Sequence, residues 1–267
     1  MLRETVSLIN HRLKQKENKS LSGGIVGKNL QIIDNGMGLL ELKGDFTITI
    51  KVFDLCSAAS PKLPSLLSST KSYLQSKLKG PVTTYSANFY RYDPKKKKFN
   101  LKEPAPVSFL FNFNISVNII QVNNIGQIRG NDFLIAVVDR VGYQFKDRYG
   151  KTHKAAGFSG TGAPSIIEYS TWVKDPSTGP HEFFHTLSLA DLELPSDKND
   201  IMYHLGDQTN TNLSLAEKID ALRYIISDIT NMTKSVYQNP SYNTVNQLRT
   251  RLNDPINGIS YNRSRFS

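Results

Sequence analysis

The chain has 267 residues, 39% of them apolar, with a net charge of +10 and one cysteine. That length can bury a proper core, the apolar fraction excludes a disordered chain, and the single Cys56 excludes an internal disulfide. The basic balance admits nucleic acid, an anionic surface or an acidic partner.

In chain order, residues 1–22 (MLRETVSLINHRLKQKENKSLS) read as a short polar helix or a leader, without the apolar run of a signal peptide. FTITIKVF (46–53) alternates and is rich in β-branched and aromatic residues, which predicts a strand. Cys56 follows it and reads as a buried small hydrophobe. In SPKLPSLLSSTKSYLQSKLKG, Leu67, Leu74 and Leu78 share one face and Gly80 is a stop, which predicts a helix. Strands are expected at 83–92 and 107–122. The KKKK run Lys95–Lys98 between them reads as a solvated hairpin tip, with nucleic acid disfavoured because no basic helix or aromatic stripe accompanies it. DFLIAVVDRV (132–141) is a near-continuous apolar run, typical of a strand buried on both faces. GFSGTGAPSIIEYS (157–170) is Gly-rich and leads into another short strand. SLAEKIDALRYIISDI (214–229) is a second helix, with Ser214 and Glu217 at capping-box spacing. Residues 231–267 read as a tail with one short helix, TVNQLRTRL. No stretch approaches the roughly 18 apolar residues of a membrane span.

The chemistry concentrates in HEFFHTLSLAD (181–191). On a helix, residues four apart stack on one face, so His181 and His185 can share one metal ion. Glu182 points roughly 100° away, from where its carboxylate reaches a water on the metal. A third protein ligand is needed, with one position left open. Asp191 is a candidate only if the helix ends early. On an unbroken helix it would lie about 9 Å further along and roughly 120° off the histidine face. The chain must therefore leave the helix near Leu187 or Ser188. His153 (in GKTHKA) and His11 read as surface histidines.

HEFFHTLSLAD followed by NDIMYH (199–204) resembles the metzincin clan of zinc peptidases. Their pattern is HExxHxxGxxH or HExxHxxGxxD, then a tight turn bearing a methionine beneath the metal. The aspartate-ended form is similar to the snapalysin-type peptidases. DIMYH and the later LSLAEKIDALRYI resemble the matrixin arrangement. The resemblance implies that His181, His185 and Asp191 ligate Zn2+, Glu182 is the general base and Met202 is the Met-turn residue. His204 becomes either a hydrogen-bond donor to the oxyanion or a surface residue. Gly157, Phe158, Ser159 and Gly160 become either a substrate-binding edge strand or a simple loop. The family's glycine, three after the second histidine, is Ser188 here, which bears on whether the chain can bring Asp191 back. Glu217 is a rival third ligand by analogy with gluzincins, although capping of its own helix by Ser214 is its structural use.

The fold implied is α+β and zincin-like: a mixed, mostly parallel sheet with an active-site helix and a C-terminal helix. Residues 1–44 are an N-terminal extension, 45–230 the catalytic domain and 231–267 a tail. The function implied is a monomeric zinc endopeptidase acting on protein or peptide substrates. With no signal peptide recognised, the chain is read as a secreted effector or toxin, or as a domain of a larger protein. The alternatives are a metal-containing binding module without turnover and a basic nucleic-acid-binding protein; an intact Glu182 argues against the first, and steep salt dependence of binding would mark the second.

Overall fold

A computed structural model describes residues 2–18, 24–89, 92–93, 95–99, 105–130, 132–205, 211–230 and 243–266. The elements are α1 (Leu2–Lys16), β1 (Ile25–Asp34), β2 (Leu39–Asp54), α2 (Leu63–Leu78), β3 (Val82–Phe89), β4 (Tyr92–Asp93), β5 (Lys98–Phe99), β6 (Ala105–Val122), β7 (Phe133–Val138), β8 (Gln144–Lys146), β9 (Thr152–Lys154), β10 (Gly157–Phe158), β11 (Ser165–Glu168), α3 (Tyr169–Lys174), α4 (Thr178–Thr186), α5 (Leu215–Thr230) and α6 (Thr244–Asn253). The protein is α+β with a mixed sheet. No helix among the described residues is long and apolar enough to cross a membrane.

The chain divides into two compact units. The first comprises Met1–Ile48, Leu78–Ser116 and Leu222–Gln238. Its strands are antiparallel, β1 on β2 and β3 on β6. Helix α1 is tied to β1 by Asn10, whose side chain donates to Ile32 O (2.9 Å) and accepts from Ile32 N (2.7 Å). Phe46 and Phe113 meet edge-on at 4.9 Å in its core. Lys95–Lys97 form the tip of the β4–β5 hairpin, where Asp93 Oδ1 accepts from the N–H groups of Lys95 and Lys96. Residues 1–44, read above as an extension, thus supply α1, β1 and the start of β2 to this unit.

The second unit comprises Thr49–Lys77, Val117–Ala221 and Asn239–Ser267 and carries every candidate site residue. Its strand order is β2–β7–β11–β10; β2, β7 and β11 run parallel, and β10 closes the edge antiparallel to β11. Parallel pairing is therefore confined, among the described pairs, to the centre of this unit, whereas the first unit is antiparallel. The sheet is mixed, as expected, with antiparallel pairs beside the parallel centre.

All six residues of β7 are buried, as its unbroken apolar sequence demands. Leu134, Ala136 and Val138 face a core shared with Phe53, Ile166, Leu248 and Leu252. On the opposite face Phe133 meets Phe183 of α4 edge-on at 5.4 Å. Phe184 is fully buried and meets Tyr73 of α2 at 6.4 Å. Burial of each of these rings stabilises the seat of α4 by about 1.5–3 kcal/mol. Gly179 lets α4 approach α3 closely, since a Cβ there would lie 2.4 Å from the Trp172 ring. Cys56 is buried, and burial pushes its thiol up to about 12, consistent with an inert packing residue.

Residues 243–266, within the stretch read as a tail, are integral to this unit. Ser260 pairs its backbone with Arg140, and Asn262 N donates to Leu55 O (2.7 Å). Leu248 of α6 has no exposed surface. Leu248→Ala is expected to cost about 2–5 kcal/mol of stability, measured by chemical denaturation; a change within about 0.5 kcal/mol would show α6 to be dispensable.

Candidate metal centre

Helix α4 presents His181 and His185 on one face. The Nδ1 of His181 donates to Ile201 O (2.6 Å) and that of His185 to Leu189 O (2.8 Å). A carbonyl can only accept, so both Nδ1 atoms carry hydrogen and Nε2 is the free nitrogen of each ring. The two Nε2 atoms lie 3.1 Å apart, and Asp191 Oδ1 lies 3.4 Å from the first and 3.3 Å from the second. Ligands about 2.0–2.1 Å from a tetrahedral zinc ion sit about 3.3 Å apart, so the triangle has the spacing of three zinc ligands. These residues form one of two groups among the described residues that are able to hold a metal ion.

The turn at Ser188 brings Asp191 into that triangle. Ser188 has φ +76°, the left-handed conformation that a glycine adopts most easily. Its N–H donates to His185 O (2.9 Å), and the N–H of Leu189 donates to Phe184 O (3.1 Å). These two bonds make a Schellman ending, closed by burial of Leu189 and Phe184. Ser188 Oγ accepts a further bond from Thr161 Oγ1 (3.3 Å). The chain leaves the helix where the sequence requires it, with serine performing the reversal.

Electrostatics favour a cation at this point. Burial works against a charged His185, but its hydrogen bond to Asp191 and the charges of Glu182 and Asp191 outweigh burial and push it up to about 9. Burial likewise opposes ionisation of Asp191, yet the bonds to His181 and His185 hold its carboxyl well below the usual range. The metal-free chain thus recruits a proton between electron-pair donors that a metal ion would satisfy together.

Glu182 is buried at the base of the cleft, and desolvation raises its pKa against the opposing pull of His181 and His185. Among the described residues its buried Oε2 has no hydrogen-bond partner. Gly157 makes room for this carboxylate, because a Cβ there would lie 2.9 Å from Glu182 Oε1 and 2.6 Å from Ile166 O. Gly157 and Phe158 form β10 at the sheet edge, while Ser159 and Gly160 belong to the following loop. Ser159 Oγ bonds Thr186 Oγ1 (3.0 Å), and Ser165 Oγ donates to Glu182 O (3.1 Å), which ties β10 and β11 to α4.

Met202 is fully buried in the turn after Asp200, and its carbonyl accepts from Leu192 N (2.7 Å). Asp200 holds that turn: Oδ1 accepts from Met202 N (3.0 Å) and Oδ2 from Ser214 N (2.9 Å). Glu217 lies outside the histidine triangle. It makes the capping box with Ser214 (Oγ to Oε2 3.0 Å, N to Oγ 3.2 Å) and faces Asp200. Burial, then Asp200, pushes Glu217 up to about 8.

The cleft over these groups encloses about 900 Å³ and includes Gly157, His181, Glu182, His185, Asp191 and His204. Two of its lining residues, and a third residue that bonds one of them, escape the sequence reading. Arg251 arrives from α6, donates to Pro164 O (2.9 Å) and lies 5.5 Å from the Phe158 ring centre. His153, read as a surface residue, has a side chain only 14% exposed and bonds Asp147 Oδ2 at 2.8 Å. The β8–β9 register, which pairs it with Phe145, turns it into the cleft. Asp147 itself carries no motif. Compared with protein families and curated proteins, the sequence matches none of them.

Two outcomes test this construction. Ser188→Gly should keep zinc affinity, whereas Ser188→Val, β-branched at a left-handed φ, should weaken it about tenfold or more, the equivalent of at least about 1.4 kcal/mol, in a competition titration with a chelating dye. The folded metal-free chain retains a proton on Glu217 that the unfolded chain loses above pH 4.5. Its thermal midpoint should therefore fall between pH 5 and pH 8, and Glu217→Gln should flatten that slope; an unchanged slope refutes the buried proton.

Proposed function

We propose that this protein is a zinc-dependent endopeptidase with a metzincin-like core. The observation that carries the reading is the convergence of His181 Nε2, His185 Nε2 and Asp191 Oδ1 at zinc-ligand spacing. Beside it stands a buried glutamate whose Oε2 has no partner among the described residues. Two imidazoles and one carboxylate suit zinc, and three protein ligands leave a position for water, as in catalytic rather than structural sites. Bound zinc supplies a Lewis acid and water of lowered pKa.

The chain's own residues do the rest. Glu182 accepts the proton of the attacking water and delivers it to the leaving amine. Desolvation makes this carboxylate more basic than one in water, which favours proton uptake. The carbonyls of Ile201 and Leu189 fix the tautomers that turn both Nε2 atoms inward. Strand β10 pairs, among the described strands, with β11 alone, so its outer edge can take an extended peptide by backbone hydrogen bonds. Gly157 in that strand keeps substrate backbone and Glu182 close.

Glu182→Gln should bind zinc normally and lose at least about 10³-fold in cleavage of a peptide library, while Asp191→Ala should lose zinc. Full activity of Glu182→Gln would refute the mechanism. Zinc binding without cleavage by the wild type would instead favour a metal-containing binding module.

A further inference from the structure

A second cluster of metal-binding side chains stands in the second unit. Asp147, at the end of strand β8, and His153, in β9, are joined by a bond of 2.8 Å between Oδ2 and Nε2. His204 comes from the turn after Met202. One donor atom of each residue lies within 4.8 Å of those of the other two. We propose that Asp147, His153 and His204 form a second divalent-metal site of the zinc class, distinct from the one at His181, His185 and Asp191.

The carboxylate is already aimed. Asp147 Oδ1 accepts from the N–H groups of Tyr149 and Lys151, both at 2.9 Å, which leaves Oδ2 directed at His153. The side chains of Asp147 and His153 are only 7% and 14% exposed, so both ligand atoms are held among neighbours. The carboxylate accepts in its bond to His153, so Nε2 of that ring carries its hydrogen. An ion would take that hydrogen's place while the ring keeps or regains its hydrogen on Nδ1, and one proton leaves to solvent if both nitrogens held one. His204 is aimed as well. Its Nδ1 donates to Leu192 O (3.1 Å), and its backbone N–H donates to the same carbonyl (3.0 Å). The hydrogen is therefore on Nδ1, and Nε2 carries a lone pair. Among the described residues that buried Nε2 has no partner, a state that native proteins rarely leave standing. A ring nitrogen in this tautomer needs either a donor or a metal ion.

The donor set selects the ion. Two imidazole nitrogens and one carboxylate oxygen suit zinc and its neighbours in the transition series, and not calcium or magnesium, which take oxygen ligands. Zinc would set the three donors about 3.3 Å apart. The Asp147–His153 pair opens from 2.8 Å by about 0.5 Å, and the widest pair closes by at most about 1.5 Å, within the reach of small side-chain rotations. An ion there would bind hairpin β8–β9 to the segment that follows Met202. His153 and His204 line the same cleft as His181 and His185, so the ion can enter from solvent and its binding would stiffen that wall of the cleft. His204 then serves as a ligand in place of a contact to the oxyanion.

The test is zinc stoichiometry of the whole chain, stripped with chelator, reloaded with Zn2+, dialysed and assayed by atomic emission. The wild type should hold two zinc ions per chain. Asp147→Asn, His153→Ala and His204→Gln should each hold one and keep a wild-type circular dichroism spectrum. The double variant His181→Ala/His185→Ala should also hold one, lost on adding His153→Ala. The proposal is overturned if the wild type holds one ion and the three single variants still hold it, or if the wild type holds two and they keep both. A wild type holding one ion that only Asp147, His153 or His204 substitutions remove would uphold this site and sink the catalytic centre instead. Because Asp147→Asn is nearly isosteric, it keeps the measurement decisive should His153→Ala fail to fold.

Discussion

Three ligand atoms, two imidazole nitrogens and one carboxylate oxygen, are held within 3.4 Å of each other, and the second unit is arranged around that crowding. Such a triangle is unfavourable in a protein interior unless a positive charge occupies it. The folded chain supplies part of that charge by keeping a proton on His185. A metal ion would compete with that proton for the same place, so the energy that holds the three groups together would also give an ion its affinity. The atoms that orient its two rings are backbone carbonyls, Ile201 O and Leu189 O, rather than flexible side chains.

Those supports form two short chains of hydrogen bonds. One runs from the end of α4 through the Schellman turn at Ser188 to Leu189 O, which orients His185, and on to Asp191. The other runs from α5 through Ser214 and Asp200 to the turn that presents Ile201 O to His181. Both ring tautomers are thus dictated by carbonyls whose positions depend on a helix end. The left-handed serine costs about 1–2 kcal/mol relative to a relaxed residue. Burial of Phe184 and Leu189 on either side of the turn offsets that cost.

The parts legible in the sequence are those whose information is local. The spacing of His181 and His185 places both on one helical face, the apolar run of β7 implies cover on both sides, and the offset of Asp191 requires the helix to stop after His185. The glycine rule suggested difficulty at Ser188, but the backbone bonds of the turn are independent of residue type, and packing holds the strained φ in place. What stayed hidden depends on distant pairing. His153 enters the cleft because β8 and β9 pair in one register, and Arg251 because α6 packs under β7. Neither position carries a local signal: GKTHKA is a polar loop sequence, and a basic residue in a short amphipathic helix reads as surface. The asparagine-rich stretch before α6 masked the return of residues 243–266 to the core, although Leu248 and Leu252 are spaced for it.

The contrast between Glu182 and Glu217 shows how burial assigns roles to similar groups. Both are buried glutamates, both have raised pKa values, and among the described residues each has one carboxylate oxygen without a hydrogen-bond partner. Glu217 spends its other oxygen on the N–H and hydroxyl of Ser214 and faces Asp200, so a proton shared between two acids satisfies it. That arrangement is closed: it fastens α5 to the turn bearing Ile201, and no free lone pair is directed at the histidines. Among the described residues the acid nearest in effect to Glu182 is Asp191, which is already bonded to the two histidines. Glu182 stands between the sheet edge at Gly157 and the histidine face, in a cleft open to a substrate. Desolvation, helped by the charge of Asp191, makes its carboxylate more basic, and the histidine and arginine charges nearby limit how far. An oxygen held this way keeps its lone pair for whatever water enters, which is the property that a general base needs and a structural carboxylate lacks.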